Sequence, residues 1–146
     1  MKRFLNTRVW LIIAGLLMTV PSTIGIATGV VAETGADYWD RDLTAFESDM
    51  AAVIELVWIA HVIMLGVIIL AIALLAADPL RARLGAVAIL ATGASQFLAG
   101  GLASGYGYGF ADGAAEALPF LVGLVIVLAA CIVNWNAVPA PEEAHR

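Results

Sequence analysis

The sequence predicts an all-α integral membrane protein, with four transmembrane helices in an antiparallel bundle and both termini cytoplasmic. Three observations lead there. The 146 residues are 62% hydrophobic and 13% charged, with a mean hydropathy of +0.97, whereas a soluble domain carries about 25% charged residues. Four apolar runs, near 9–31, 50–77, 84–104 and 117–135, approach or exceed the ~20 residues that cross a hydrocarbon core of about 30 Å. Charge is also unevenly divided. With these spans, Lys2, Arg3, Arg8, Arg81, Arg83 and Arg146 fall on one side and only Arg41 on the other, which places the basic side in the cytoplasm. The alternating segments of a membrane β-barrel are absent, so helices satisfy the backbone within each span.

The first run follows Lys2, Arg3 and Arg8 and opens at Trp10, an interfacial anchor. A basic start, an apolar core and Val30-Val31-Ala32 also have the make-up of a signal peptide. The run continues past Pro21, beyond the core of about 7 to 15 residues such peptides use, which favours an uncleaved span. Pro21 removes a backbone donor and predicts a kink, and Gly25 and Gly29 form a GxxxG pair suited to close helix approach.

Residues 32–49 read as an acidic extracytoplasmic loop with Glu33, Asp37, Asp40, Asp42, Glu47 and Asp49 against Arg41. Tyr38 and Trp39 return the chain to the interface, and Leu43 to Phe46 form a short amphipathic turn. The acids lack the spacing of a calcium loop, so solvation is the favoured role.

The second run ends at Ala76-Ala77, and Asp78-Pro79 predicts a tight turn with Asp78 capping the third helix. That helix is rich in small residues, Gly85, Gly93 and Gly100 among them, so it is expected near the centre of the bundle. The connection after it, Gly105-Tyr106-Gly107-Tyr108-Gly109-Phe110, alternates glycine with aromatics and is no nucleotide fingerprint. Tyr106, Tyr108 and Phe110 form an outer lip, read either as membrane anchors or as a lid. The last run opens with Pro119 and closes at Trp135, and 136–146 is a polar cytoplasmic tail that includes His145.

The second run carries the candidate site. Glu55 and His61 lie inside an otherwise apolar helix with Trp58 between them. Six residues separate the two ionisable groups by about 9 Å and about 120°. A charge at the depth of His61 costs about 2.5 to 3.5 kcal/mol, so a neutral ring hydrogen-bonded to Gln96 is one expectation. The other is an outward-facing ligand or proton site made of Glu55, Trp58, His61 and Gln96.

Several chemistries lack their residues. One intramembrane histidine per chain disfavours bis-histidine haem, no second His or Cys stands at zinc spacing, and no hydrolase elbow occurs. Cys131 is the sole cysteine and forms no intrachain disulfide. The expectation is a non-enzymatic protein without cofactor or metal. It acts either as an accessory or interaction subunit of a membrane assembly, or as a small-molecule binding or transport protein. A haem-binding redox subunit is the less favoured third reading. Its expected partners are the lipid bilayer and another membrane protein or a second copy, with no nucleic acid. Abundant alanine and a single lysine, Lys2, against six arginines point to a prokaryotic inner membrane.

Overall fold

The computed structural model describes residues 4–39, 41–108 and 114–137, with the side chains of 114–117 excepted. Phe110, His145, Lys2, Arg3, Asp40, Arg146 and the tail beyond residue 137 lie outside the described residues. The described chain is helical, in the order α1 (Thr7–Thr28), α2 (Val30–Thr34), a 3-10 turn (Gly35–Tyr38), α3 (Ala45–Leu75), α4 (Leu80–Ser104) and α5 (Ala114–Val133). Three of these, α1, α3 and α4, are long and apolar enough to cross a membrane. The described apolar part of α5, Leu118–Val133, is shorter. Large apolar side chains such as Leu17, Val57, Val87, Leu98 and Val125 are exposed along all four long helices. In water such a surface would aggregate, whereas lipid accommodates it.

Local chemistry sets each boundary. Asn6 caps α1 by accepting from Val9 N–H at 3.2 Å. The helix runs through Pro21 and stops at Gly29, whose φ of 80° places it in the left-handed region open to glycine. The first apolar run is therefore two helices, and Gly29 is a helix stop. Residues expected as a loop continue as α2 and the 3-10 turn. Helix α3 begins at Ala45, five residues before the expected start, because Thr44 and Glu47 form a reciprocal capping box. At the α3–α4 turn the N-cap is Pro79, without a side-chain cap. Asp78 instead pairs with Arg81 at 3.3 Å.

The packed core lies toward the end of the molecule that carries Arg8, Arg81 and Arg83. Leu11, Ile69, Ala73, Ala86, Ile89, Val127 and Cys131 bring together α1, α3, α4 and α5. Helices α1 and α4 each touch the other three long helices, whereas α3 and α5 do not meet among the described residues. Glycine sets the closest approaches. A Cβ on Gly15 would lie 2.9 Å from the Gly66 carbonyl oxygen, and one on Gly85 would lie 2.8 Å from Leu11 and 3.1 Å from Cys131. Gly93 approaches Leu124 in the same way at 3.2 Å. Of the other glycines expected at helix contacts, Gly25 meets Val31 of its own segment and Gly100 faces open space.

Polar ties close this basic end. Thr7 Oγ1 donates to Ala130 O at 3.0 Å, and Asn134 Nδ2 donates to Leu5 O at 2.6 Å and to Ala130 O at 2.8 Å. Arg83 donates to Trp135 O and to Asn136 Oδ1, both at 3.3 Å. All but the local Asn134–Ala130 bond span more than fifty residues of sequence, so the start of α1, the start of α4 and the end of α5 share one end. Glu33, Asp37, Asp42, Glu47, Asp49 and the Gly105–Tyr108 turn lie at the other.

Candidate functional site

Glu55 is the centre of the acidic end. The buried positions of α3 are Ala51, Glu55, Gly66, Ile69 and Ala73. At 100° per residue they fall within roughly 40° of the direction of Glu55. Glu55 is therefore on the packed side of the helix, and it is 5% exposed. A carboxyl in that setting needs a hydrogen-bond partner, since an unpaired buried polar group costs about 1 to 3 kcal/mol.

The chain supplies that partner from a distance. Gly35 lies directly on α3, where a Cβ would be 3.1 Å from the Ala51 carbonyl oxygen and from Ala52. This contact seats the 3-10 turn on the helix and holds Tyr38 and Trp39 over its acidic end. Trp39 then forms an isolated antiparallel bridge with Tyr108. Tyr108 reaches that position through a turn in which Gly107 adopts φ 81°, and its own N–H donates to Ala103 O at 3.2 Å. The Tyr108 hydroxyl donates to Glu55 Oε1.

Two further aromatic rings pack on the tyrosine that bonds the carboxyl. Tyr108 meets Trp39 edge to face, with centroids 5.6 Å apart and planes at 77°, and it lies 5.8 Å from Tyr38 in a tilted contact. Burial and the neighbouring Glu55 push the Tyr108 phenol well above its ordinary value, so it remains a donor throughout the physiological range. The Trp39 Nε1 atom is buried and has no hydrogen-bond partner among the described residues. Among the described residues no Lys, Arg or His forms an ion pair with Glu55.

A rim of opposite character adjoins the cap. Arg41 donates to Glu47 at 2.7 Å, while Glu47 also accepts from the Thr44 N–H at 2.9 Å and hydroxyl at 2.8 Å. These donors, Arg41 first, hold the Glu47 carboxyl down at about 2. Between this rim and Trp39 lies a half-open groove of about 120 Å³, floored by Leu43, Met50 and Ile54.

The expected site residues are thus distributed. Glu55 and Tyr108, placed by sequence in a helix and a lip respectively, are joined. Trp58 and His61 are half-buried on α3, turned by about 60° and 120° from Glu55. Gln96 is half-buried on α4, and among the described residues no hydrogen bond links it to His61. Tyr106 is exposed at the surface of the turn. The roles of Tyr38 and Trp39 in the cap were not apparent from sequence. The signals that bear on them are Gly35, which permits the close seat on α3, and the Thr44-x-x-Glu47 box, which fixes where α3 begins.

No group of three His, Cys, Asp or Glu residues lies together among the described residues. The arrangement offers one carboxyl, one phenol donor, one unpartnered indole donor and three aromatic faces. Comparisons with protein families, with curated proteins and with solved structures give no match to this chain.

Proposed function

We propose that this chain is a four-span protein of a prokaryotic inner membrane, with both termini cytoplasmic, that binds a small molecule at Glu55 under the cover of Tyr108. Four spans follow if α5 crosses with its full 20 residues. The orientation follows from the basic residues gathered at one end. Helix α3, at 31 residues, is roughly 46 Å long. Measured back from Leu75, a core of about 30 Å ends near Leu56. Glu55 then sits at the extracytoplasmic boundary, within reach of water once the cap opens.

The observation that carries this reading is the tie between Tyr108 and Glu55. Among the described residues the one partner of a buried carboxyl stands on a glycine-flanked turn, so one local movement uncovers the group. A water-soluble carbodiimide with a nucleophile, applied to oriented vesicles and read by mass spectrometry, tests it. Glu55 is expected to react slowly in the wild type and at least about tenfold faster in Tyr108→Ala, from the acidic face only. Equal and negligible reaction in both proteins would reject the site.

A second reading, a non-enzymatic accessory subunit, is favoured by a different surface. A Cβ on Gly100, Gly101 or Gly123 would meet nothing within 4 Å, which leaves small-residue surface on α4 and α5 for a helix of a partner. A stoichiometric complex in native membranes that is lost in Gly100→Leu would support it.

A further inference from the structure

We propose that the ligand of the Glu55 site is a small organic ammonium ion that carries an oxygen acceptor, as an amino alcohol of the choline type does. This rests on the site reading above and adds the chemical class. Three features of the cap converge on it.

The first is charge. Among the described residues Glu55 is a buried carboxyl without a basic partner, and the one bond it accepts there comes from the neutral Tyr108 hydroxyl. A ligand cation supplies the counter-charge that the described residues do not bring to it. The surface at this end also draws cations inward, since Glu33, Asp37, Asp42, Glu47 and Asp49 are opposed there by Arg41 alone among the described residues.

The second is the wall. Tyr38 and Trp39 pack on Tyr108, the residue that bonds Glu55, and the negative faces of such rings attract a weakly hydrated organic cation. A hard cation such as calcium or magnesium requires six or more oxygens, and one carboxyl with two phenols falls short of that set. The alkylated ammonium is the cation that gains from rings.

The third is the orphaned donor. Trp39 Nε1 is buried without an acceptor among the described residues, at the ring that packs against Tyr108. A hydroxyl or carbonyl oxygen two or three bonds from the ammonium nitrogen satisfies it. In the present closed arrangement the Tyr108 side chain fills the place of the ligand. The turn at Gly107 allows it to swing aside, so that its ring lies against the cation while the Glu55 carboxylate takes the charge.

The test is calorimetric titration of the full chain in nanodiscs at one fixed pH with choline and with 3,3-dimethylbutanol, its uncharged isostere. Each is run on the wild type, Glu55→Gln and Trp39→Phe. Choline is expected to bind the wild type at least about tenfold more tightly than the alcohol and to lose at least about tenfold in Glu55→Gln, with a smaller loss in Trp39→Phe. Circular dichroism and the unfolding midpoint of each variant exclude misfolding as the cause. Equal binding of choline and the neutral alcohol, insensitive to Glu55→Gln, overturns the cation class while leaving a small-molecule site. Binding of neither compound, with Glu55 also inert to carbodiimide in Tyr108→Ala, overturns both.

Discussion

Close approach of α1 and α3 at Gly15 and Gly66 makes a quantitative demand on stability. In Gly66→Ala the new methyl meets Thr19 Oγ1, and lies 3.0 Å from both the Gly15 carbonyl oxygen and the Met18 Cβ. A carbonyl on the facing backbone cannot rotate away, so relief requires the helix axes to part by roughly 0.5 Å to reach the ~3.5 Å of favourable contact. A gap of that size along the seam forfeits a quarter or more of the local dispersion energy, and overpacking of this kind costs about 1 to 3 kcal/mol. Alanine also gains up to about 1 kcal/mol over glycine in helix propensity, which would mask part of the loss. Gly100→Ala carries the same gain and meets nothing. The difference between the two variants therefore isolates the clash. Reversible unfolding in phospholipid–SDS micelles, followed by circular dichroism, is expected to place Gly66→Ala about 1 to 3 kcal/mol below Gly100→Ala. A difference under about 0.5 kcal/mol would refute the reasoning, because contact at 3.0 Å with backbone leaves no other route to accommodation.

Three further expectations concern the two ends. Thr44→Ala removes the capping box of α3 and should cost about 1 kcal/mol, visible as faster amide exchange confined to the first turn after Ala45. The Glu47 carboxyl titrates at about 2, below its ordinary 4.5. What it lends to stability is thus complete above about pH 4.5 and fades as the pH falls toward 2. Carboxyl NMR should find this titration moved upward in Arg41→Ala, yet still below 4.5 because the Thr44 donors remain. Cys131 is fully buried against Gly85, so a maleimide should label it slowly in the wild type. Gly85→Val, by forcing Leu11 and Cys131 apart, should raise the labelling rate at least about tenfold, and an unchanged rate would contradict the packing at that point.

The helical class was legible because membrane helices are written in composition. Ile, Leu, Val and Ala dominate each run, and few charges interrupt them. Boundaries depended on finer chemistry. Gly29 looked like half of a packing motif, yet its freedom to adopt positive φ made it a stop, and the chain used Gly15, Gly66 and Gly85 for close approach instead. A glycine says that a Cβ is unwelcome without saying whether a turn or a neighbour objects. The Thr44-x-x-Glu47 pair was present in the sequence and sufficed to start α3 at Ala45, had its signature been weighed against the drop in hydropathy. Glu55 stood out because a carboxyl in an apolar helix needs a partner. That partner was beyond the sequence. Helical periodicity points to residues three or four positions away, whereas Tyr108 is 53 residues distant and arrives through a turn seated by Gly35 and an isolated bridge at Trp39. His61 and Gln96 shared an expected depth, but depth does not fix rotation about the helix axis, and the two remain unlinked.

The most direct test of the account is the coupling between Tyr108 and Glu55. Tyr108→Phe removes the donor and keeps the ring, Glu55→Leu removes the acceptor and keeps an apolar side chain, and the double variant closes the cycle. Unfolding free energies of the four proteins in the same micelles are expected to give a favourable coupling of about 0.5 to 1.5 kcal/mol. Additive effects, with no coupling beyond about 0.3 kcal/mol, would contradict a Tyr108 that closes over Glu55, and the reading of the acidic end as a covered binding site would fall with it.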